Sequence, residues 1–310
     1  MKAIVIGGYG HIGRHLVPKL VADGYEVAVV TRGRQPRPDA PSWQGLDVEH
    51  LTLDYAELVG SPTGTKALAE LQPHIVIDIL GRDTPALMAA LPPTVEHVVL
   101  CGSLWMYGPP RQVPTPERTQ GECPFDAYRK RYQQLQQVLS RGDGPTVAAV
   151  MPTNIAGAGK IPLEPAAGRS IDVHRAMADG QTMTLPGDGS TLVGPVDADD
   201  VAEVFRLVLR QPERANGQMY NVGGAYAITF SELVAVYGDI YGRKLPVEYL
   251  DWPAFDARFK PDLSTRYHFQ QHMCADITKA RLELGYRPRY TPQDALARAV
   301  AWMRQSGLLA

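Results

Sequence analysis

Three glycines near the N-terminus have the spacing of a phosphate-binding turn. The stretch GGYGHIG, residues 7–13, directly follows the apolar run KAIVI. Gly7 would permit a tight turn, Gly10 would let the backbone approach a pyrophosphate, and Gly13 would let the next helix pack closely. Free N–H groups at the start of that helix would point at phosphate oxygens. The sequence predicts a dinucleotide site formed by Gly7, Gly10, His11, Ile12 and Gly13, with a purely structural turn as the alternative.

The end of the second apolar run indicates which dinucleotide binds. An acidic residue there holds the ribose 2′-hydroxyl of NAD, whereas an arginine suits the 2′-phosphate of NADP. In VVTRGRQPR, Arg32 and Arg34 follow the run, and no carboxylate appears before Asp39. Guanidinium groups pair well with a phosphate dianion. We therefore expect NADP, with NAD less favoured and a solvated basic loop as the alternative to a binding role.

Alternating strands and helices must position these residues. The runs KAIVI, EVAVV, HIVIDIL and HVVLC are continuously apolar, as in a parallel sheet covered by helices on both faces. Asp54 follows another short strand, EHLTL, and either meets the adenine edge or lies in an exposed turn. After Thr153, glycine and proline become frequent and indicate long loops.

These patterns predict an α/β fold with two parts. A Rossmann-type doubly wound parallel sheet would be formed by residues 1–160 and about 196–224 and would bind NADP. A smaller C-terminal α/β substrate-binding domain would be formed by about 161–195 and 225–310.

Composition excludes several classes of partner. The 310 residues include 31 basic and 33 acidic side chains, so no strong field favours nucleic acid or a membrane surface. The three cysteines are far apart and predict reduced thiols in a cytoplasmic protein. No apolar run is long enough for a membrane span or a signal peptide. His268 and His272 are four apart but lack the glutamate of zinc hydrolases, so we expect no metal. The expected partners are a small-molecule substrate and a possible second copy.

Several motifs in order resemble the extended branch of the short-chain dehydrogenase/reductase family, the epimerase/dehydratase group. GGYGHIG resembles its glycine turn, and HVVLCGSLWMYG resembles the strand that leads to its catalytic serine. MPTNIAGAG resembles the loop that enters its substrate domain, and QMYNVGG and LGYRPRYTPQDAL resemble its C-terminal pattern. The resemblance covers nearly the whole chain and implies the same two-part fold.

The resemblance implies that Ser103 and Tyr128 are the catalytic residues. Tyr128 lies 25 positions after Ser103, the separation that the family keeps between its serine and its tyrosine. In the family, the tyrosine is the general acid/base for a substrate oxygen and the serine hydrogen-bonds that oxygen. A hydride moves to or from the nicotinamide across the same carbon.

The chain departs from the family four positions after this tyrosine. A lysine there binds the nicotinamide ribose and lowers the pKa of the tyrosine, but this chain has Tyr132, which we retain as a cofactor-binding position. On a helix, Arg131 lies only about 60° around from Tyr128 and is the geometric candidate for a substitute cation. The favoured interpretation of Arg129, Lys130 and Arg131 is nevertheless a solvated helix face.

A second departure concerns the substrate. Relatives that act on nucleotide sugars carry a diphosphate-binding arginine seven positions before the aspartate of the D-V-A element, where this chain has Val193. The alternatives Arg169, Arg258 and Arg266 are not located by the sequence. With no ammonium beside it, Tyr128 should stay protonated and act as a general acid.

We therefore expect an NADP(H)-dependent oxidoreductase that reduces a carbonyl of a small or medium-sized organic substrate, a ketoreductase. One alternative is an NAD(P)-dependent sugar epimerase or dehydratase. The other is a non-catalytic dinucleotide-binding protein, either a sensor or an RNA-associated protein.

Overall fold

The structure is a computed structural model that describes residues 1–34 and 36–309. Its strands are β1 (Lys2–Ile6), β2 (Glu26–Thr31), β3 (Val48–Thr52), β4 (Ile75–Asp78), β5 (His97–Cys101), β6 (Thr146–Pro152), β7 (Asn154–Ala156), β8 (Met183–Pro186), β9 (Leu192–Val193), β10 (Pro195–Asp197), β11 (Gln218–Val222), β12 (Ile228–Thr229) and β13 (Val247–Leu250).

The α-helices alternate with these strands. They are α1 (Gly13–Ala22), α2 (Tyr55–Gly60), α3 (Pro62–Glu70), α4 (Thr84–Ala90), α5 (Asp126–Leu139), α6 (Ile171–Ala178), α7 (Ala198–Leu209), α8 (Pro212–Ala215), α9 (Phe230–Ile240), α10 (Trp252–Phe259), α11 (Leu263–Gln270), α12 (Thr278–Leu284) and α13 (Pro292–Gln305). Within the described ranges, none of them is long and apolar enough to cross a membrane.

The central sheet has seven parallel strands in the order β3-β2-β1-β4-β5-β6-β11. The inner strands β1, β4 and β5 are nearly continuously buried because helices cover both faces, whereas the edge strand β3 has no buried residue. The order 3-2-1-4-5-6 is that of a Rossmann fold, and the chain reverses direction across the sheet between β1 and β4. The predicted doubly wound α/β sheet is therefore confirmed.

Two hydrophobic cores lie on the two faces of this sheet. One joins α1, α7 and α12 to the sheet, and the other joins α2, α3, α4 and α5 to it. A third core, apart from the sheet, is formed by residues of α6, α9, α10, α11, α13 and the short strands β8, β9 and β12.

The third core consists mainly of residues within 161–195 and 225–310, for which the sequence predicts a smaller domain, and this part is called the smaller domain below. One segment of the second range packs elsewhere. Ala280, Leu284 and Tyr286 belong to the core on the α1 side of the central sheet, so α12 and the turn after it pack with the Rossmann part. The Tyr286 hydroxyl donates to Gly223 O at 2.9 Å, which ties this segment to the end of β11. The last 86 or so residues thus divide between the two parts, because an amphipathic pattern does not identify the sheet on which a helix packs.

Candidate functional site

The glycine turn lies at the carboxyl end of β1. Gly7 has a φ of +85°, and its N–H donates to Val30 O at 2.9 Å. Gly10 N–H then donates to Gly7 O at 2.9 Å, which closes the turn. A Cβ on Gly13 would collide with the backbone of Gly8, so only glycine allows α1 to start this close to the turn. The first N–H groups of α1 consequently face the space beyond the strand ends.

Arg32, Arg34 and Asp54 lie at the ends of β2 and β3, beside this turn. Arg32 and Arg34 are exposed, and Arg32 Nε is 3.9 Å from Asp54 Oδ2, a loose and exposed ion pair. Asp54 also accepts from Ala56 N at 3.0 Å as the cap of α2. Both guanidinium groups are thus accessible beside the turn, while Asp54 already has a structural role.

The next strand end is held by a buried carboxylate. Asp78, the last residue of β4, accepts from the Tyr55 hydroxyl at 2.8 Å, from Leu80 N at 2.9 Å and from Gly81 N at 3.0 Å. Burial raises the pKa of Asp78, and these donors oppose that rise. The carboxylate thus fixes the turn after β4 close to the glycine turn, since a Cβ on Gly7 would lie 3.1 Å from the Leu80 side chain.

Ser103 and Tyr128 lie on elements that follow β5. Ser103 comes two residues after the strand, and its hydroxyl accepts from Trp105 N at 3.3 Å. Tyr128 is in the first turn of α5, and its ring centroid is 6.0 Å from that of Trp105. The short 3-10 helix after Ser103 therefore connects the predicted serine to the surroundings of the predicted tyrosine.

An aromatic cluster surrounds Tyr128 on the side of the smaller domain. The Trp105 ring stacks on Phe125 at 5.2 Å and meets Tyr267 and His268 of α11 edge-on at 5.0 and 4.5 Å. The Tyr267 hydroxyl and His268 Nδ1 are buried without a hydrogen-bond partner among the described residues. Polar atoms in such positions are costly unless a ligand or water completes them.

Arg131 reaches the strand ends from α5. Its Nη2 donates to Leu80 O at 3.2 Å and to Cys101 O at 3.4 Å, at the ends of β4 and β5. Its guanidinium carbon lies 5.7 Å from the centre of the Tyr128 ring. Its Nε is buried and has no partner within the described part of the chain. The interpretation of a solvated face holds for the exposed Lys130 but is wrong for Arg131, because the helix turns this side chain toward the sheet.

The Tyr132 side chain has different neighbours from those of Tyr128 and Arg131. Its ring meets Tyr107 edge-on at 5.6 Å, and its hydroxyl accepts from the Thr119 hydroxyl at 3.3 Å. Tyr107 is fully buried and donates to Asn221 Oδ1 at 3.1 Å. Tyr132 thus packs into the core beneath the 107–121 loop, while Arg131 occupies the space beside Tyr128.

The electrostatic surroundings of Tyr128 contain two cations. Burial raises the pKa of Tyr128, and the guanidinium groups of Arg131 and Arg169 oppose the rise. Burial dominates, so the pKa stays above its ordinary value and the phenol remains protonated at neutral pH. In this environment Tyr128 is better suited to donate a proton than to accept one.

Arg169 lies before α6 at the inner edge of the smaller domain. Its Nη1 donates to Ile155 O at 3.1 Å and to Ile161 O at 2.8 Å. Its charge lowers the pKa of both His11 and His268, although burial is the larger cause for each. By contrast, Arg258 and Arg266 pair with carboxylates on the smaller domain. Arg169 is thus the arginine that the fold brings between the glycine turn and Tyr128.

Val193 does not line the site. It belongs to β9, is fully buried and packs in the core of the smaller domain. No group of three potential metal ligands occurs in residues 1–34 and 36–309. His268 and His272 do not share a helix, since α11 ends at Gln270, and His272 Nδ1 accepts from Leu192 N at 3.0 Å.

A family model described as the NAD dependent epimerase/dehydratase family matches residues 3–223, well over half of the chain. The chain belongs to this family. Its resemblance to the extended short-chain dehydrogenase/reductase group is thereby confirmed.

Members and solved structures agree with this assignment. The chain is 25% identical to the UDP-glucose 4-epimerase of Lactobacillus helveticus, with 97% of each protein covered. It is also 25% identical to the chloroplast stem-loop binding protein of 41 kDa b of Arabidopsis thaliana, over 95% of this chain and 77% of that protein. The UDP-glucose 4-epimerase of Bifidobacterium longum, solved with NAD+ and UDP, shares the fold with a TM-score of 0.77 at 20% identity over 99% of both chains.

Membership of this family favours some of the functions expected from the sequence over others. The family depends on a nicotinamide dinucleotide, and most of the relatives are enzymes named as epimerases or dehydratases. This favours the epimerase/dehydratase alternative of the sequence analysis over the carbonyl reductase. The exposed guanidinium groups of Arg32 and Arg34 and the unpartnered Nε of Arg131 are donors that fit such a dinucleotide.

Sequence reasoning missed Asp78 as the residue that holds the strand end and preferred the wrong role for Arg131. A signal for Asp78 existed, because an aspartate inside the apolar run HIVIDIL must be bonded if it is buried. For Arg131, the correct signal was its position about 60° around the helix axis from Tyr128. Nothing in the sequence located Arg169, since its neighbours lie on segments distant along the chain.

Proposed function

We propose that the protein is an enzyme of the epimerase/dehydratase type that uses NADP(H) and acts on a hydroxylated, sugar-like small molecule. Tyr128 exchanges a proton with a substrate oxygen, and Ser103 hydrogen-bonds the same oxygen. The observation that carries the proposal is the position of Tyr128, which lies under the Arg131 guanidinium at the strand ends next to the glycine turn. A bound dinucleotide would supply hydride transfer at the carbon that bears this oxygen.

Arg131 takes the role of the absent lysine in this proposal. Arginine keeps its positive charge at ordinary pH, so the guanidinium of Arg131 can stabilise negative charge on Tyr128. Its unpartnered Nε is a donor available to the hydroxyls of the nicotinamide ribose. Because burial outweighs this cation, Tyr128 acts most readily as an acid, and its action as a base requires the additional charge of a bound cofactor.

The preference for NADP rests on the end of β2. Arg32 and Arg34 are both exposed, and the carboxylate next to Arg32 is held only loosely at 3.9 Å. An acidic residue that would accept from a ribose 2′-hydroxyl is absent at the end of this strand, where Thr31 stands. A 2′-phosphate would therefore meet two cations, and the nearby carboxylate of Asp54 already caps α2.

The experiment is a substrate screen with matched variants. Sugar nucleotides, free sugars and small ketones are incubated with the protein and either cofactor, and products are separated chromatographically. For any substrate that is turned over, Tyr128→Phe should lower the rate by about 10²-fold or more. Tyr132→Phe, which removes a hydroxyl from the same helix, should stay within about twofold of the wild type. Full activity of Tyr128→Phe would contradict the proposal.

A non-catalytic role is the second candidate. The similarity to the chloroplast stem-loop binding protein extends over nearly the whole chain and favours it. It predicts that the cofactor binds while no member of the screen is converted. An RNA stem-loop would then be retained by the protein in a filter-binding assay, with an affinity that falls as salt rises.

A further inference from the structure

The charge of Arg169 is incompletely compensated. No carboxylate lies within 4.0 Å of its guanidinium in the described residues, whereas Arg258 and Arg266 each have such a partner. Glu164 acts on it only through space, and the Glu164 carboxylate is already bonded to Ala166 N and to Gly168 N. A cation removed from water without a close anion is unfavourable, and a bound anion would relieve that cost.

Further cationic and polar groups face the same region. Lys160, at the rim, has its pKa lowered by burial and by the charge of Arg169. His11 Nε2 is buried without a partner in the described part of the chain, and the same holds for His268 Nδ1. Burial lowers the pKa of His268 to about 4, so at neutral pH it is an uncharged ring that can donate one hydrogen bond.

The segments that carry these groups lie close together. Arg169 Nη1 donates to Ile155 O and Ile161 O, and between these two residues Ala158 O is 2.9 Å from Nε2 of His15 in α1. His268 and Tyr128 both contact the Trp105 ring. Arg169 also lowers the pKa of Tyr128, so the guanidinium lies within electrostatic range of the phenol as well. Orphaned donors that converge on an unpaired guanidinium are the arrangement expected of an oxyanion-binding subsite.

From this geometry we infer that Arg169 and His268 bind a carboxylate group of the substrate, next to the carbon whose oxygen Tyr128 serves. The inference rests on the proposed function and names its substrate class as a hydroxy or oxo acid, such as a uronic acid. A nucleotide diphosphate bound at the far end of a substrate would leave this subsite unfilled. The dinucleotide diphosphate has its own donors at the start of α1 and requires neither Tyr128 nor α11.

The test measures anion binding rather than turnover. Oxalate is titrated into the NADP+-saturated protein at constant ionic strength, and tryptophan fluorescence reports binding because Trp105 contacts His268. Oxamide, which has nearly the same shape and no charge, is the matched ligand. We expect saturable binding of oxalate and none of oxamide.

Variants locate the site. Arg169→Gln should weaken oxalate binding by at least about 10-fold, the effect of losing one charge-assisted pair. Arg169→Lys should restore part of the affinity because the charge returns. Arg175→Gln removes the same charge from α6, where Arg175 pairs with Asp172 on the surface, and should have no effect. If Arg169→Gln proves unstable, the shift of the His268 ring signals by oxalate in wild-type NMR spectra gives the same information.

Three results would overturn the inference. They are absence of saturable oxalate binding to the wild type, unchanged affinity in Arg169→Gln, and a loss of NADP+ affinity in Arg169→Gln with oxalate binding intact. The last would assign the subsite to the dinucleotide diphosphate. Failure of the proposed function is seen separately, as full activity of Tyr128→Phe, and leaves the oxalate result interpretable.

Discussion

The two halves of the site are built differently. The cofactor half consists of the glycine turn and the ends of β2, β4 and β5, all belonging to one parallel sheet. The substrate half consists of Trp105, the segment around Arg169 and helix α11, which are distant in sequence and belong to both domains. In the described residues both halves contain unpartnered polar atoms, His11 Nε2 and Arg131 Nε in the first and the Tyr267 hydroxyl and His268 Nδ1 in the second. The first half also holds the buried carboxylate of Asp78, which has three donors.

This difference has a physical origin. Strand ends of a parallel sheet lie in fixed register, so a short sequence motif determines where its backbone groups point. The loops and helices of the substrate half are positioned by contacts between segments that are distant along the chain. Unpartnered polar groups in either half can be completed by a ligand.

The largest effect on stability and on cofactor binding should come from a substitution in the glycine turn, because a side chain there would collide with backbone atoms. Gly13→Ala would place a methyl group against the Gly8 backbone, which cannot give way as a side chain can. We expect a loss of stability of a few kcal/mol and no measurable binding of NADPH. Urea denaturation and fluorescence titration measure the two effects.

Gly60→Ala is the matched control for that variant. Gly60 ends helix α2, and a Cβ there meets nothing within 4 Å. We expect unchanged cofactor binding and a stability equal to or slightly above that of the wild type. Tight NADPH binding by Gly13→Ala would mean that the turn does not determine the cofactor half.

A smaller effect, on the preference between NADP and NAD, is expected from a substitution of Arg32. Arg32→Ala should reduce the ratio of NADP to NAD affinity by at least about 10-fold, because a charge-assisted contact to the 2′-phosphate is lost. Arg37→Ala is the control, since Arg37 lies in the same loop but donates to Trp43 O and Leu46 O. Equal affinities of the wild type for the two dinucleotides would refute the NADP assignment.

Much of the cofactor half was predictable from the sequence because its backbone lies at the strand ends of one parallel sheet. The glycine spacing and the apolar runs predicted the turn, the doubly wound parallel sheet and the position of Arg32. The role of Arg131 was not obtained, because the family pattern directs attention to the position four after Tyr128, while the helix turns the position three after it toward β4 and β5. The substrate half was not predictable from the sequence. Val193, at the position of the relatives' diphosphate-binding arginine, is a core residue, and the neighbours of Arg169 lie on segments distant along the chain.

The central claim is that Arg131 belongs to the cofactor half in place of the family lysine, and NADPH affinity tests it without a known substrate. Fluorescence titration of the wild type, Arg131→Met and Tyr132→Phe measures the three dissociation constants. The account predicts a 5- to 10-fold weakening, roughly, for Arg131→Met, since one donor to the ribose is lost, and a change within about twofold for Tyr132→Phe. Unchanged binding by Arg131→Met together with clear weakening by Tyr132→Phe would contradict it.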